Sequence, residues 1–283
     1  MPASTTTTAN KAAAPDTGPA LGRVPAVLVL PALIGVLLLV LPPLSLLLRT
    51  PWSTAWQRLT EPAVLEALRL SLFTASVSAA ICVLLGVPLA WVLARVTFRG
   101  RQVVRALVTV PLVLPPVVGG VALLAVFGRR SGLIGGWLYD LTGWQLAYTA
   151  GAVVAAQTFV ALPFLVIAVE GSLRSADPRF DEVSATLGAS RWQTFRRVTV
   201  PLALPGVASG AVLAWARALG EFGATATFAG STEGVTRTLP LLVYQVLQTD
   251  PEGAYTLSML LLVISVGVLL LLRERWVSGA GAR

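Results

Sequence analysis

The sequence contains no histidine, one cysteine and one lysine among its 283 residues. The absence of histidine excludes a hydrolase triad and a histidine-based proton relay. Cys82 stands alone, so the chain cannot form an internal disulfide, and one cysteine without histidine cannot assemble a Cys/His metal site. Few routes to enzymatic chemistry remain.

The scarcity of lysine excludes a nucleotide-binding P-loop. That motif needs a lysine followed by serine or threonine, because the lysine reaches the phosphates. The only lysine, Lys11, precedes Ala12 in a stretch rich in Ala, Thr and Pro. We expect residues 1–23 to be a disordered cytoplasmic tail, and any ATP hydrolysis by that route belongs to another polypeptide.

Charged residues are also scarce, and long apolar runs take their place. Charged residues make up 12% of the chain and apolar residues 55%, and the mean hydropathy is +0.79. Six runs are long enough to cross a hydrocarbon core of roughly 30 Å as helices. They cover residues 24–48, 70–94, 103–127, 150–168, 206–228 and 255–272. We therefore predict an all-α integral membrane protein with six transmembrane helices, formed by a domain over residues 24–283.

The distribution of basic residues predicts the orientation. With the N-terminus inside, 14 basic residues lie on the cytoplasmic side and five on the outer side. The outer five are Arg49, Arg58, Arg129, Arg130 and Arg237. This bias places both termini in the cytoplasm. It also accounts for the net charge of +8, so that charge does not indicate a nucleic-acid partner.

A charged interruption at residues 177–205 separates the fourth and fifth apolar runs. Asp177 followed by Pro178 is typical of a helix start, and Asp181 and Glu182 place negative charge where the helix dipole favours it. Phe180, Val183 and Leu187 recur at spacings of three and four residues. The pattern predicts a short amphipathic helix.

A second helix start follows at once. Gly188 supplies the left-handed residue that ends many helices, and Ser190 with Gln193 forms a capping box. Trp192 and Phe195 continue the apolar stripe towards the fifth run. Two short helices that meet at a glycine would form a rigid, protruding elbow.

These residues carry a resemblance to a known family. The pattern resembles the EAA loop of bacterial ABC importer permeases at Glu182, Ala185, Gly188, Phe195, Pro201 and Pro205. Val183 and Ser184 stand where that family usually has two alanines. The resemblance implies that the cytoplasmic loop 171–205 carries a coupling helix that fits a cleft on an ATPase subunit. Its coupling residues would be Asp181, Glu182, Val183, Ala185, Leu187, Gly188 and Ala189. The alternative is an interfacial helix without a partner.

Residues 68–95 resemble the opening of the permease domain in the same superfamily. Residues 110–135 and 216–230 resemble its molybdate branch, and the end of the first run, residues 48–52, fits this pattern. The resemblance implies a type I importer fold in the bacterial plasma membrane that moves molybdate or a similar oxyanion inward. The expected partners are an ABC ATPase dimer, a second permease copy and an extracytoplasmic substrate-binding protein, in contact with membrane lipid. No cofactor is expected in this chain, because the partner ATPase would bind ATP and magnesium.

The third and fifth runs contain the candidate translocation residues. Prolines and glycines weaken the third run as a helix, which is tolerated at membrane depth where the backbone lines a cavity. The fifth contains Arg217 and Glu221 at i, i+4 spacing, which we interpret first as a structural ion pair and alternatively as a substrate contact. The candidate path residues are Pro116, Gly119, Gly120, Arg217, Glu221, Gly223 and Thr225.

Several alternatives stay open. The third run could be a kinked packing helix whose glycines allow close helix contact. The cargo could be tungstate, sulfate or thiosulfate, and the second permease could be a related chain. A secondary carrier would show inverted repeats and midplane titratable residues, and a membrane enzyme is disfavoured by the missing histidines.

Overall fold

The computed structural model describes residues 26–175 and 179–280, and those residues form helices and no strand. Up to residue 142 the helices are α1 (Ala26–Arg49), α2 (Trp52–Leu59), α3 (Pro62–Arg95), α4 (Arg101–Val113), α5 (Pro116–Phe127) and α6 (Gly135–Thr142). They are followed by α7 (Ala150–Ser175), α8 (Arg179–Thr186), α9 (Arg191–Thr194), a π-helical turn (Phe195–Thr199), α10 (Val200–Leu219), α11 (Gly223–Phe228), α12 (Leu239–Leu247) and α13 (Pro251–Ala280). The predicted tail at residues 1–23 lies outside the described residues.

Within the described ranges, five helices are long and apolar enough to cross a membrane. They are α1, α3, α7, the continuous segment Arg191–Leu219 and α13, and the pair α4 and α5 makes six if it counts as one span. The prediction of an all-α membrane protein with six apolar spans is confirmed in this form.

The third run was counted as one membrane-crossing helix whose prolines and glycines would weaken it; a single continuous helix is wrong, and the expected weakness is confirmed as a break. The structure has two helices, α4 and α5, whose axes differ by 118°. Leu114 and Pro115 between them are extended, with ψ of 129° and 133°. The cause is the proline pair: Pro115 and Pro116 have no N–H to donate, and a residue before proline is driven from helical to extended conformation.

The fifth run was predicted to be helical over 206–228, and this is also wrong. The helix begins earlier, within the segment Arg191–Leu219, and stops at Leu219. A new short helix, α11, starts at Gly223. The Glu221 carboxylate accepts a hydrogen bond from the Ala224 N–H at 2.9 Å and so begins the second helix. A side-chain acceptor of this kind satisfies a backbone donor that a helix start leaves open.

The chain falls into two compact units, Met1–Leu44 and Ser45–Arg283. The boundary lies inside α1. The span Val27–Arg49 of α1 is apolar enough to cross a membrane.

Helices α3, α7 and α10 form the core of the second unit. Small residues let them approach closely: Gly206 of α10 lies against Ser172 and the carbonyl of Ala168 on α7, and Gly210 lies against the backbone of Leu165. Gly86 of α3 lies against the side chain of the same Leu165. Small residues at such contacts are typical of membrane helix packing, where backbones must come close to gain van der Waals contact.

Serine and threonine hydroxyls of α3 add hydrogen bonds between elements. Ser78 donates to the Val154 carbonyl at 2.9 Å, and Thr158 donates to Ser78 at 3.1 Å. Ser71 accepts from the Leu239 N–H at 2.7 Å at the start of α12. These bonds fix the position of α3 relative to α7 and α12.

At the predicted outer end of the bundle, Asp250 lies directly before the first residue of α13. It accepts a hydrogen bond from the Gly253 N–H at 3.1 Å and pairs with Arg58 of α2. The Gly253 N–H and the Arg58 guanidinium both favour the ionised carboxylate, so they hold the pKa of Asp250 below its usual range. This pair joins α2 to the start of α13.

We expect Gly206→Val to destabilise the core. The added side chain has no room, because a Cβ at Gly206 already meets the Ser172 hydroxyl at 2.7 Å and the Ala168 carbonyl at 3.2 Å. Overpacking of this kind costs about 1–3 kcal/mol. The measurement is the thermal unfolding midpoint of the purified chain in detergent. Gly171→Val on α7 is the matched control, because a Cβ there meets no atom within 4 Å. Equal midpoints for the two variants would contradict the packing argument.

Candidate functional site

The elbow, residues 179–205, presents apolar side chains at the predicted cytoplasmic end. Phe180 is 52% exposed, Val183 is 56% exposed and Leu187 is 82% exposed. The first two belong to α8, and the Leu187 N–H still bonds to the Val183 carbonyl at 3.1 Å just beyond it. The predicted apolar face is therefore present, and the three side chains that form it are each more than half exposed.

The turn between α8 and α9 has the predicted local structure. Gly188 has a φ of +79°, in the left-handed region that favours glycine. Ser190 and Gln193 form the reciprocal capping box, with the Ser190 N–H bonded to Gln193 Oε1 at 2.8 Å. Ser184 and Thr194 hydroxyls join the two helices at 2.8 Å. The elbow is thus held by its own hydrogen bonds.

Parts of the coupling prediction lie outside the described atoms. Asp177 and Pro178 fall outside the described residues, and the side chains of Asp181, Glu182 and Ala185 are not described. The structure places Val183, Leu187, Gly188 and Ala189 on or beside α8. Their contact with an ATPase stays a prediction.

The elbow is anchored to α3 by aromatic rings. Phe195 lies edge-on to Trp91 of α3, with ring centroids 5.5 Å apart, and stacks on Trp192 at 5.6 Å. The π-helical turn begins at Phe195, and the Val200 N–H bonds to the Phe195 carbonyl five residues back. Pro201 gives the reason, because a proline ring collides with the carbonyl four residues before it unless the turn widens. The sequence pattern did not indicate this turn.

The two breaks in the helices lie side by side. A Cβ on Gly223 would meet the Pro116 side chain at 2.7 Å and the Val117 nitrogen at 3.3 Å. A Cβ on Gly120 would meet Thr227 at 2.7 Å and the Ala224 carbonyl at 2.8 Å. Glycine is therefore required at both positions for α5 and α11 to start next to each other. We call residues 114–120 and 219–227 together the paired breaks.

A buried ion pair holds the second of these breaks. Glu221 is 1% exposed, and its Oε2 lies 2.6 Å from Nη1 of Arg217, whose side chain is 28% exposed. Glu221 Oε1 accepts from the Ala224 N–H. The carboxylate thus forms an ion pair with the end of α10 and accepts a hydrogen bond from the start of α11. The predicted structural ion pair is confirmed as a contact, whereas a role in substrate contact is not tested.

Six of the seven predicted path residues belong to the paired breaks, and Arg217 lies in the last turn of α10, just before the second break. The seven residues differ in exposure. Pro116 is exposed and Arg217 is partly exposed. Five are buried in this chain, namely Gly119, Gly120, Glu221, Gly223 and Thr225. A Cβ added at Gly119 would lie 3.2 Å from the Phe159 ring. The Thr225 hydroxyl is buried without a hydrogen-bond partner in the described part of the chain. The buried residues position the breaks, and their contribution to a path stays a prediction.

Sequence analysis missed a second buried charge cluster. Glu170 near the end of α7 is 8% exposed and pairs with Arg105 of α4 and Arg174 of α7. The i, i+4 spacing of Glu170 and Arg174 was a local signal that could have indicated the pair. Arg105 lies 65 residues from Glu170, so no local pattern could connect them.

Comparison with known proteins places these features in context. The family model described as "Binding-protein-dependent transport system inner membrane component" matches residues 86–278. The "Molybdenum transport system permease protein ModB" of Mycobacterium bovis is 52% identical over 256 residues, which covers 90% of this chain and 92% of that protein. The "Sulfate transport system permease protein CysT" of Escherichia coli is 34% identical and covers 83% of this chain and 86% of that one.

A solved structure shares the fold. A permease chain in the crystal structure of a bacterial ABC transporter involved in the import of the acidic polysaccharide alginate has a TM-score of 0.70 at 18% identity. The match covers 88% of this chain and 93% of that chain. At this identity the likeness shows the fold alone, which is that of a type I ABC importer permease.

We expect Glu221→Ala to destabilise the chain more than Glu221→Gln. Both variants lose the charge that pairs with Arg217, but glutamine keeps an oxygen for the Ala224 N–H. A buried donor that is left without its partner costs about 1–3 kcal/mol. Thermal unfolding in detergent measures the difference. The double variant Arg217→Gln/Glu221→Gln should be more stable than Glu221→Gln, because no unpaired guanidinium remains. Equal stability of all three variants would contradict the capping and pairing roles.

Proposed function

Since this chain belongs to the family of binding-protein-dependent transport system inner membrane components, we propose that it moves molybdate into the cytoplasm as part of an ATP-driven importer. It is a multi-pass protein of the bacterial plasma membrane, and its relatives are permease subunits and not catalytic chains. ATP and magnesium are bound by a separate ATPase subunit, since this chain has no P-loop. No cofactor is proposed for the chain itself.

The exposed apolar face of the elbow carries the proposal. Phe180, Val183 and Leu187 are each more than half exposed although they stand next to a charged loop. A short helix with an uncovered apolar face suits a groove on a partner protein. The left-handed turn at Gly188 and the capping box hold that face in one orientation. A rigid element of this kind can transmit displacement from an ATPase into the membrane helices.

The partners follow from the number of elbows. Each chain carries one elbow, and an ATPase that works as a pair offers two clefts, so two permease chains assemble. A homodimer is the simplest symmetric arrangement. A related second permease would satisfy the same geometry. An extracytoplasmic binding protein delivers the anion at the opposite end.

The paired breaks are the proposed border of the anion path. They bring two helix starts, α5 and α11, together with Arg217 and the hydroxyl of Thr225 at one place in the bundle. Broken helices at membrane depth are tolerated where the backbone lines a cavity or is packed in protein. Arg217 is already paired with Glu221, so the path has no free strong cation there that would hold a dianion and slow its release.

Sulfate is the second candidate cargo. It is favoured by one observation, the 34% identity with the sulfate permease over most of both chains. The higher identity with the molybdenum permease, 52%, favours molybdate. Tungstate has nearly the same size and charge as molybdate, and the external binding protein makes most of that choice.

We expect Gly188→Lys to abolish uptake while the chain still inserts and assembles, and Glu182→Lys to have the same effect. A side chain at a φ of +79° is strained by roughly 1–2 kcal/mol, and the lysine also projects from the docking surface. Uptake into proteoliposomes containing the complete complex measures the effect. Gly143→Lys is the matched control, because Gly143 also has a positive φ, of 69°, and open space around it, but lies outside the elbow. Normal uptake by Gly188→Lys would contradict the coupling assignment.

The cargo is tested by competition. We expect labelled molybdate uptake by the complex with its native binding protein to be inhibited by molybdate and tungstate at much lower concentrations than by sulfate. The comparison is made at equal ionic strength, so that screening of charges does not differ between anions. Sulfate as the strongest competitor would assign the chain to sulfate transport.

A further inference from the structure

The end of α3 is held by two arginines of α4. The last carbonyls of a helix lack partners within it. The carbonyl of Leu93 accepts from Nε of Arg101 at 2.8 Å and from Nη2 of Arg105 at 3.3 Å. The carbonyl of Ala94 accepts from Nη2 of Arg101 at 3.3 Å. These bonds fix the start of α4 to the end of α3.

The same Arg105 reaches α7. Its Nη2 lies 2.6 Å and its Nε 3.1 Å from Oε1 of Glu170. Arg174, one turn further along α7, donates to the same oxygen from Nε at 3.0 Å. The Glu170 side chain is 10% exposed, so the carboxylate is largely removed from water. A buried carboxylate of this kind is tolerated only because it is paired, and the pairing fixes the positions of its partners.

The cluster lies where the elbow enters the bundle. Glu170 is five residues before the end of α7, and α8 begins at Arg179. On the other side of the elbow, Phe195 contacts Trp91, two residues before Leu93. Both ends of the elbow are therefore connected to the last turn of α3. The Glu170–Arg105 ion pair also connects α7 to α4, and α4 leads through the 118° bend into the paired breaks.

We propose that Glu170 is a positioning residue for transport, through which displacement of the elbow is passed by way of Arg105 to α4 and the paired breaks. This inference rests on the proposed function, because it assumes that an ATPase moves the elbow. Arg105 is the essential partner, since it joins three helices. Arg174 belongs to the same helix as Glu170, so the bond between them moves with α7 and does not transmit displacement to α4.

The test measures anion uptake per ATP hydrolysed in proteoliposomes that contain the complete complex. We expect Glu170→Gln and Arg105→Gln to lower this ratio about fivefold or more, with ATP hydrolysis retained. Arg174→Gln should have a smaller effect than Arg105→Gln. Glu233→Gln is the matched control, because it neutralises another i, i+4 pair, with Arg237, outside the elbow and its connections, and should leave the ratio unchanged.

Several outcomes overturn the proposal. An unchanged ratio in Glu170→Gln, or an effect of Arg174→Gln equal to that of Arg105→Gln, would exclude transmission through α4. A lowered thermal midpoint with a normal ratio would show that the cluster only stabilises the fold. If Glu170→Gln fails to assemble, Arg105→Gln decides, because it leaves Glu170 paired with Arg174 and removes the charged contact to α4. A normal ratio in that variant overturns the proposal.

If the proposed function is wrong, the same experiment gives a different result. In that case the wild-type complex takes up no oxyanion or does not respond to ATP, whatever residue stands at position 170. The ratio can be measured with whichever anion the wild-type complex accumulates. If the wild-type complex transports the anion, a lower ratio of uptake to ATP hydrolysis in the variants therefore tests the role of Glu170 and Arg105 and not the proposed function.

Discussion

The close approach of α7 to α3 and α10 is the constraint on which the rest of the structure depends. Gly86, Gly206 and Gly210 leave room for Leu165 and its neighbours, so that three long helices share one core. In lipid, this contact is stabilised by van der Waals packing and not by expulsion of water. The lack of a side chain at the glycines is therefore as important for the close approach as the side chains that pack there. The packing of α7 also fixes the position of its C-terminal end, near which Glu170 lies and after which the elbow begins.

Charge is used sparingly in this core, and each buried carboxylate joins elements that differ in direction. Glu221 serves the end of α10 and the start of α11, and Glu170 serves α7 and α4. Both carboxylates lie next to a change in chain direction. A buried ion pair contributes little net stability, but removing one partner is costly. Such pairs therefore restrict the arrangements that the broken helices can adopt.

The elbow contacts the last turns of α3, and α3 is bonded to α4, which leads into the paired breaks. The elbow keeps its apolar face exposed because its hydrogen bonds are satisfied internally, by Ser190, Gln193 and the Ser184–Thr194 contact. Its rings contact Trp91, and its preceding helix contacts Arg105 through Glu170. The proposed docking surface and the proposed border of the anion path are thereby connected through α4 and the Glu170–Arg105 contact.

The sequence by itself determined the class of protein, the positions of its apolar spans and the local structure of the elbow. Apolar length, the capping box at Ser190 and the left-handed Gly188 depend on neighbours along the chain, and those are visible in a sequence. Prolines 115 and 116 also marked the first break, although its angle was not predictable. The tertiary structure alone decided that helix α10 ends at Leu219, that Gly223 lies against Pro116, and that Arg105 bonds to Glu170 from 65 residues away. The physical reason is that these contacts depend on distances between helices, which no spacing within one helix records.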